Sequence, residues 1–157
     1  MKRMAGRGKG CAVVVVCTAL TVLSVAAIIR FSGQDSGQSN ALSRGLTAWL
    51  LSFIPLENTR ENLELLNWIL RKLAHFGLYF LLGVGLTGLV RKQRKVPVLL
   101  LVIVLGGLFA VSDEFHQRFS QGRSPSGWDV LLDTCGVAAG WGAFQGMKQL
   151  KKRWDGR

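Results

Sequence analysis

Cys11-Ala-Val-Val-Val-Val-Cys-Thr-Ala-Leu-Thr-Val-Leu-Ser-Val-Ala-Ala-Ile-Ile29 is a run of nineteen residues without a charge. About 17 to 25 helical residues cross ~30 Å of hydrocarbon, so this run predicts one passage through a bilayer. Three more apolar runs lie downstream. Leu73–Val90 is broken only by His75, Tyr79 and Thr87, and Val96–Ser112 and Val130–Met147 follow it. No stretch alternates apolar and polar residues as a barrel strand does, and lipid leaves helices as the other way to satisfy backbone groups. The expected fold is all-α, an integral membrane bundle of four transmembrane helices within residues 11–147. A basic N-terminus (1–10) and a basic tail (148–157) flank it.

The chain carries 20 Lys and Arg, 9 Asp and Glu, and a net charge of +11. In a soluble protein that excess points to nucleic acid. Here its placement points to the membrane instead, and no nucleic-acid partner is expected. With the N-terminus inside, segments 1–10, 91–95 and 148–157 hold four, four and five basic residues, thirteen of the twenty. The other side holds Arg30, Arg44, Arg60, Arg71, Lys72, Arg118 and Arg123, with every acid except Asp155. The excess of basic residues in the inner segments predicts cytoplasmic ends for the chain. Ser24-Val25-Ala26 after a basic start also fits a cleaved secretion signal, but the apolar core is long for one and favours a retained anchor. Cys11, Cys17 and Cys135 form no C-x-x-C pair and read as small buried hydrophobes.

Between the first two spans, Phe31 to Asn40 is rich in Ser, Gly and Gln and predicts a loop. Leu42, Leu46, Trp49, Leu50 and Phe53 then make one helical face, expected to lie as a short interfacial helix on the outer surface. Pro55 ends it, and a new helix is expected from Asn58 or Thr59 into the second span.

Ionisable groups inside or beside a span are costly and usually face a bundle interior or a water-filled cavity. Three clusters meet that description, all at the outer edge. Lys72, His75 and Tyr79 share a helical face at i, i+3 and i+7. Asp113, His116 and Gln117 share another, with Glu114 about 100° away. Two carboxylates at a helix C-terminus oppose the macrodipole, so helix stability does not call for them. In the third cluster, Ser126 and Asp129 match a capping box, while Asp133 lies one turn deeper where capping cannot explain it. Gly136, Gly140, Ala139 and Ala143 offer small-residue faces for close packing. The sum is an outward-facing polar pocket. Arg123 suits a phosphate, because its fork binds two oxygens at once. His75 with Asp113 and Glu114 suits proton transfer. Gln117, Lys72, Tyr79 and Asp129 complete the expected binding residues. No metal-ligand spacing and no cofactor motif is read, and the absence of H-E-x-x-H speaks against an intramembrane zinc protease.

The set Lys72-x-x-His75-Phe76-x-x-Tyr79, Asp113-Glu114-x-x-Gln117, Arg123, and Asp129 with Gly136 resembles the VanZ-like family of small bacterial membrane proteins. Phe31-Ser32-Gly-Gln34 with Ser39 and Ser43 is similar to that family's segment after the first span. The resemblance covers roughly residues 12–147. Asp133 departs from it, since the family more often has asparagine there. Pro125-Ser126-Gly127 is shared with lipid phosphate phosphatases, but Trp128 stands where their histidine must be. The resemblance implies a multi-pass protein of the bacterial plasma membrane. Its implied partners are a phosphate-bearing lipid or a lipid-linked cell-wall precursor, and it carries a link to teicoplanin resistance. Enzyme, non-catalytic binder and small transporter stay open as expectations. The gathering of polar residues at one face weighs against transport.

Overall fold

The computed structural model of the chain describes residues 2–33, 45–47, 49, 52–53, 59–119 and 126–156, with side chains described from residue 11 onward. Four long helices account for most of them, and no strand occurs among the described residues. They are α1 (Lys2–Ser32), α2 (Arg60–Val90), α3 (Val98–Gln117) and α4 (Gly127–Asp155). Helices α1, α2 and α3 are long and apolar enough to cross a membrane. Helix α4, at 29 residues, is long enough but less apolar. Asp133, Gln145 and four glycines dilute its apolar run.

The ends of α2 follow from local chemistry. Thr59 is its N-cap, extended, with its side chain accepting from the Asn62 backbone amide, and the helix runs unbroken into the apolar stretch as expected. Helix α1 runs on to Ser32, so Phe31 and Ser32 are helical rather than part of a loop. Half of the expected interfacial helix, Leu42 to Phe53, lies outside the described residues. Gly45–Thr47 and Trp49 are helical, with Leu46, Trp49 and Phe53 exposed and the Trp49 and Phe53 rings edge to face at 4.9 Å.

The outer faces of α1, α2 and α3 are apolar: Val15, Leu23, Leu73, Leu81, Leu108 and Phe115 are all exposed. Water would leave such a surface unsatisfied, whereas lipid covers it. Threonines inside the apolar stretches bond within their own helices, Thr21 to the Cys17 carbonyl at 2.9 Å, Thr87 to Gly83 at 2.7 Å and Thr134 to Val130 at 2.7 Å. Only Cys17 of the three cysteines is buried. Cys11 and Cys135 are exposed, because an apolar run does not say which of its faces turns inward.

Helix α2 is the centre of the bundle, packing most extensively on α4 and next on α1, with α3 against both α2 and α4. Glycine permits the α2–α4 approach. A Cβ added at Gly136 would stand 2.7 Å from the Phe76 carbonyl oxygen, and one at Gly140 would stand 2.8 Å from the Val84 amide nitrogen and collide with the Phe80 carbonyl. Ala139, by contrast, is exposed, so the packing face is the Gly136–Gly140 stripe. Gly140→Ala is expected to destabilise the fold by about 1–3 kcal/mol, since the obstacle is backbone that cannot rotate away. Alanine's helix propensity, ~1 kcal/mol better than glycine's, offsets only part of that. Denaturant titration in micelles measures the difference.

Candidate functional site

The polar clusters meet at one end of the bundle. Three helices deliver them: the membrane-entry end of α2, the C-terminal turn of α3 and the N-terminal turns of α4. A cavity of about 600 Å³ opens there, lined by Arg71, Lys72 and His75 of α2, Gln117 of α3, and Ser126, Asp129 and Asp133 around the start of α4, with Trp68 and Trp128 also in its wall. Tyr79, Asp113 and Glu114 are buried alongside it.

Lys72 forms an ion pair with Asp129, and both side chains are about three-quarters buried (22% and 25% exposed). The Lys72 ammonium also lies 5.7 Å from the centre of the Trp68 ring, within cation–π range. Lys72→Met strands the Asp129 carboxylate and is expected to cost about 1.5–3 kcal/mol, the worth of a charged hydrogen bond. Lys72→Met with Asp129→Leu is expected to recover most of that loss, since no unpaired charge remains. A double-mutant cycle in micelles reads the coupling.

One turn deeper, His75 Nδ1 lies 3.8 Å from Asp133 Oδ2. Asp133 is only 2% exposed, and its other oxygen, Oδ1, has no hydrogen-bond partner. Tyr79 is fully buried, and its hydroxyl lies within electrostatic reach of Asp113, Asp133 and Glu114 without a well-formed hydrogen bond. Gln117 Nε2 donates to Asp113 Oδ2 at 3.2 Å.

Glu114 has a partner that the sequence did not reveal. It accepts the Ser126 backbone amide at 2.6 Å, at the very start of α4. Its charge, unfavourable for its own helix end, thus faces the positive N-terminus of another. The expected capping box at Ser126 and Asp129 is corrected accordingly. Ser126 is the N-cap by position, but its side chain makes no cap bond, and Asp129 is committed to Lys72.

On α3 the buried trio is Asp113, Glu114 and Gln117, whereas His116 is exposed. The 100° helical step explains this. Seen from Gln117, Asp113 and Glu114 are within about 60° on either side, and His116 is about 100° away. Of the sequence-predicted residues, the structure brings together Lys72, His75, Tyr79, Asp113, Glu114, Gln117 and Asp129. Arg123 lies outside the described residues. Arg71 and Asp133, not assigned to the site by the sequence, line the cavity. The signal for Asp133 was its charge one turn inside a helix that no cap accounts for.

A family model described as VanZ/LLP1 matches residues 16–148, most of the chain and all of these positions. The chain belongs to the VanZ/LLP1 family. Its three long apolar helices and this membership make it a multi-pass membrane protein. No curated protein and no solved structure matches it. Within this VanZ/LLP1 chain the cavity can do two things chemically. Arg71 and Lys72 give it positive charge for an anion, and the His75–Asp133–Asp113 group gives it proton acceptors in a poorly hydrated setting.

Proposed function

We propose that this VanZ/LLP1 protein crosses the bacterial cell membrane four times, with both termini cytoplasmic, and processes the headgroup of a phosphate-bearing lipid or lipid-linked cell-wall precursor in the outer leaflet. The length of α4 and its glycine stripe against α2 support a fourth crossing. The exposed apolar side chains of residues 46, 49 and 53 support an interfacial helix. The basic turn at 91–95 and the basic tail sit at the end of the bundle away from the cavity, which supports an outward-facing site.

The observation that carries the reading is the His75–Asp133 contact in a cavity whose wall also bears Arg71 and Lys72. Arg71 offers a guanidinium fork to phosphate oxygens, with Arg123 as a further candidate. Lys72 adds a point charge already held by Asp129. On closing the 3.8 Å gap, Asp133 would orient the His75 ring through Nδ1, leaving Nε2 to accept a proton from an attacking hydroxyl or water. A protonated Asp113 would supply a proton to the leaving oxygen and recover one from His75, while Glu114 stays with the Ser126 amide behind it. Trp68 and Trp128, both more than half exposed, suit the headgroup level of a bilayer, where lipid would enter.

The test has two arms. Deletion of the protein is expected to change the lipid or precursor profile of the cell, and purified protein in micelles to convert a phosphate-bearing lipid. Absence of both effects overturns the reading.

A further inference from the structure

We propose that His75, Asp113 and Asp133 form a binding site for one divalent first-row cation, of the Mn²⁺ or Zn²⁺ class. One ligand atom from each residue can be chosen so that all three lie within 4.8 Å of one another. Ligands at about 2.0–2.2 Å from one ion are ~3.3–3.6 Å apart in a tetrahedral shell, so side-chain closure of at most about 1.5 Å completes the set. The three come from three helices, α2, α3 and α4, which is why no spacing in the sequence announces them.

One buried polar atom points to a ligand independently of that geometry. Asp133 Oδ1 is buried without a hydrogen-bond partner in a residue 98% buried. Buried carboxylate oxygens of this kind are ordinarily paired or bound to metal. A cation between His75 and the two aspartates supplies the missing partner for Asp133.

The outer groups fit as well. Gln117 donates to Asp113 Oδ2, fixing one ligand, and the Tyr79 hydroxyl is placed to donate to the same carboxylate. One imidazole with two carboxylates favours a borderline ion over Mg²⁺ or Ca²⁺, which prefer oxygen throughout. Three protein ligands also leave positions open toward the cavity, where a phosphate oxygen would complete the shell. A cation there makes His75 a ligand rather than a base, and headgroup turnover that persists in a chelator separates those two roles. Cation binding is read without any lipid, so its failure and that of the lipid reading are distinguishable.

The experiment uses full-length protein, purified in micelles without a polyhistidine tag and titrated with Mn²⁺. Free Mn²⁺ is read by electron paramagnetic resonance, and Zn²⁺ serves as competitor. Saturable binding of one Mn²⁺ per chain is expected, weakened more than ~10-fold by Asp133→Asn. The bound ion is expected to show electron spin-echo modulation from one imidazole nitrogen, lost in His75→Gln and kept in His116→Gln. The wild-type and His116→Gln spectra together decide the matter even if a variant at the site fails to fold, because His116 is exposed and is the other of the two histidines. Absence of saturable binding, or a bound ion without imidazole modulation, overturns the proposal. Modulation that disappears with His116→Gln overturns it equally.

Discussion

His75→Gln is expected to lower headgroup turnover by ~10²–10⁴-fold, the usual contribution of a positioned general acid or base. The loss should fall on the chemical step rather than on capture of the lipid. Arg71, Lys72 and the tryptophans that would hold a headgroup are untouched by the change, and glutamine keeps a donor that can reach Asp133. The side chain is 15% exposed, so the substitution does not open a large hole in the bundle. Turnover and lipid binding must therefore be measured separately on the same preparation. A non-catalytic binder would show no turnover to lose and would capture lipid almost unchanged. His116→Gln serves as control: that residue is exposed, about 100° round α3 from Gln117, and is expected to leave both quantities alone. Equal turnover in wild type and His75→Gln would remove His75 from the chemistry.

What made His75 a candidate was legible in the sequence, because a membrane charges heavily for an imidazole one turn inside an apolar helix. The same reasoning placed Lys72, Tyr79, Asp113 and Gln117 together, but it put His116 on their face and Glu114 off it, and the structure reverses those two. Hydropathy likewise located α1, α2 and α3, since their outward faces must be as apolar as lipid. Helix α4 was harder to read. It is matched to α2 through glycine rather than through large apolar side chains, so its composition understates its place in the bundle. Pairings between helices were not legible at all. Lys72 with Asp129 bridges 57 residues of sequence, and Glu114 takes up the α4 amide that Ser126 and Asp129 were expected to cap. Local spacing records what a residue does to its own helix. A carboxylate from another helix can take that role over, and nothing in the spacing changes when it does.

Asp133→Asn is expected to stabilise the protein in chelator and to abolish the gain that Mn²⁺ brings to the wild type. An aspartate at the centre of a membrane helix costs roughly 2.5–3.5 kcal/mol, an upper bound for Asp133, which lies about two turns from the start of α4. Asp133 recovers little of this from protein partners: Oδ1 has none, and Oδ2 has only His75 at 3.8 Å, beyond hydrogen-bond length. Asparagine has the same shape and no charge, so a gain on the order of 1–3 kcal/mol is expected in chelator-treated protein. Adding Mn²⁺ reverses the ranking. A ligand present at ~100 times its dissociation constant stabilises the state that binds it by about 2.7 kcal/mol. Wild type should gain that increment and the variant should not, so the two melting curves change order between chelator and Mn²⁺. If Asp133→Asn is instead less stable in chelator, the carboxylate is already compensated, with a protonated His75 as the nearest group able to do so. The unsatisfied Asp133 oxygen would then not be evidence for an ion. If both proteins gain equally from Mn²⁺, the ion binds somewhere other than Asp133. Only the change of order ties the cost of this buried charge to the cation it is proposed to hold.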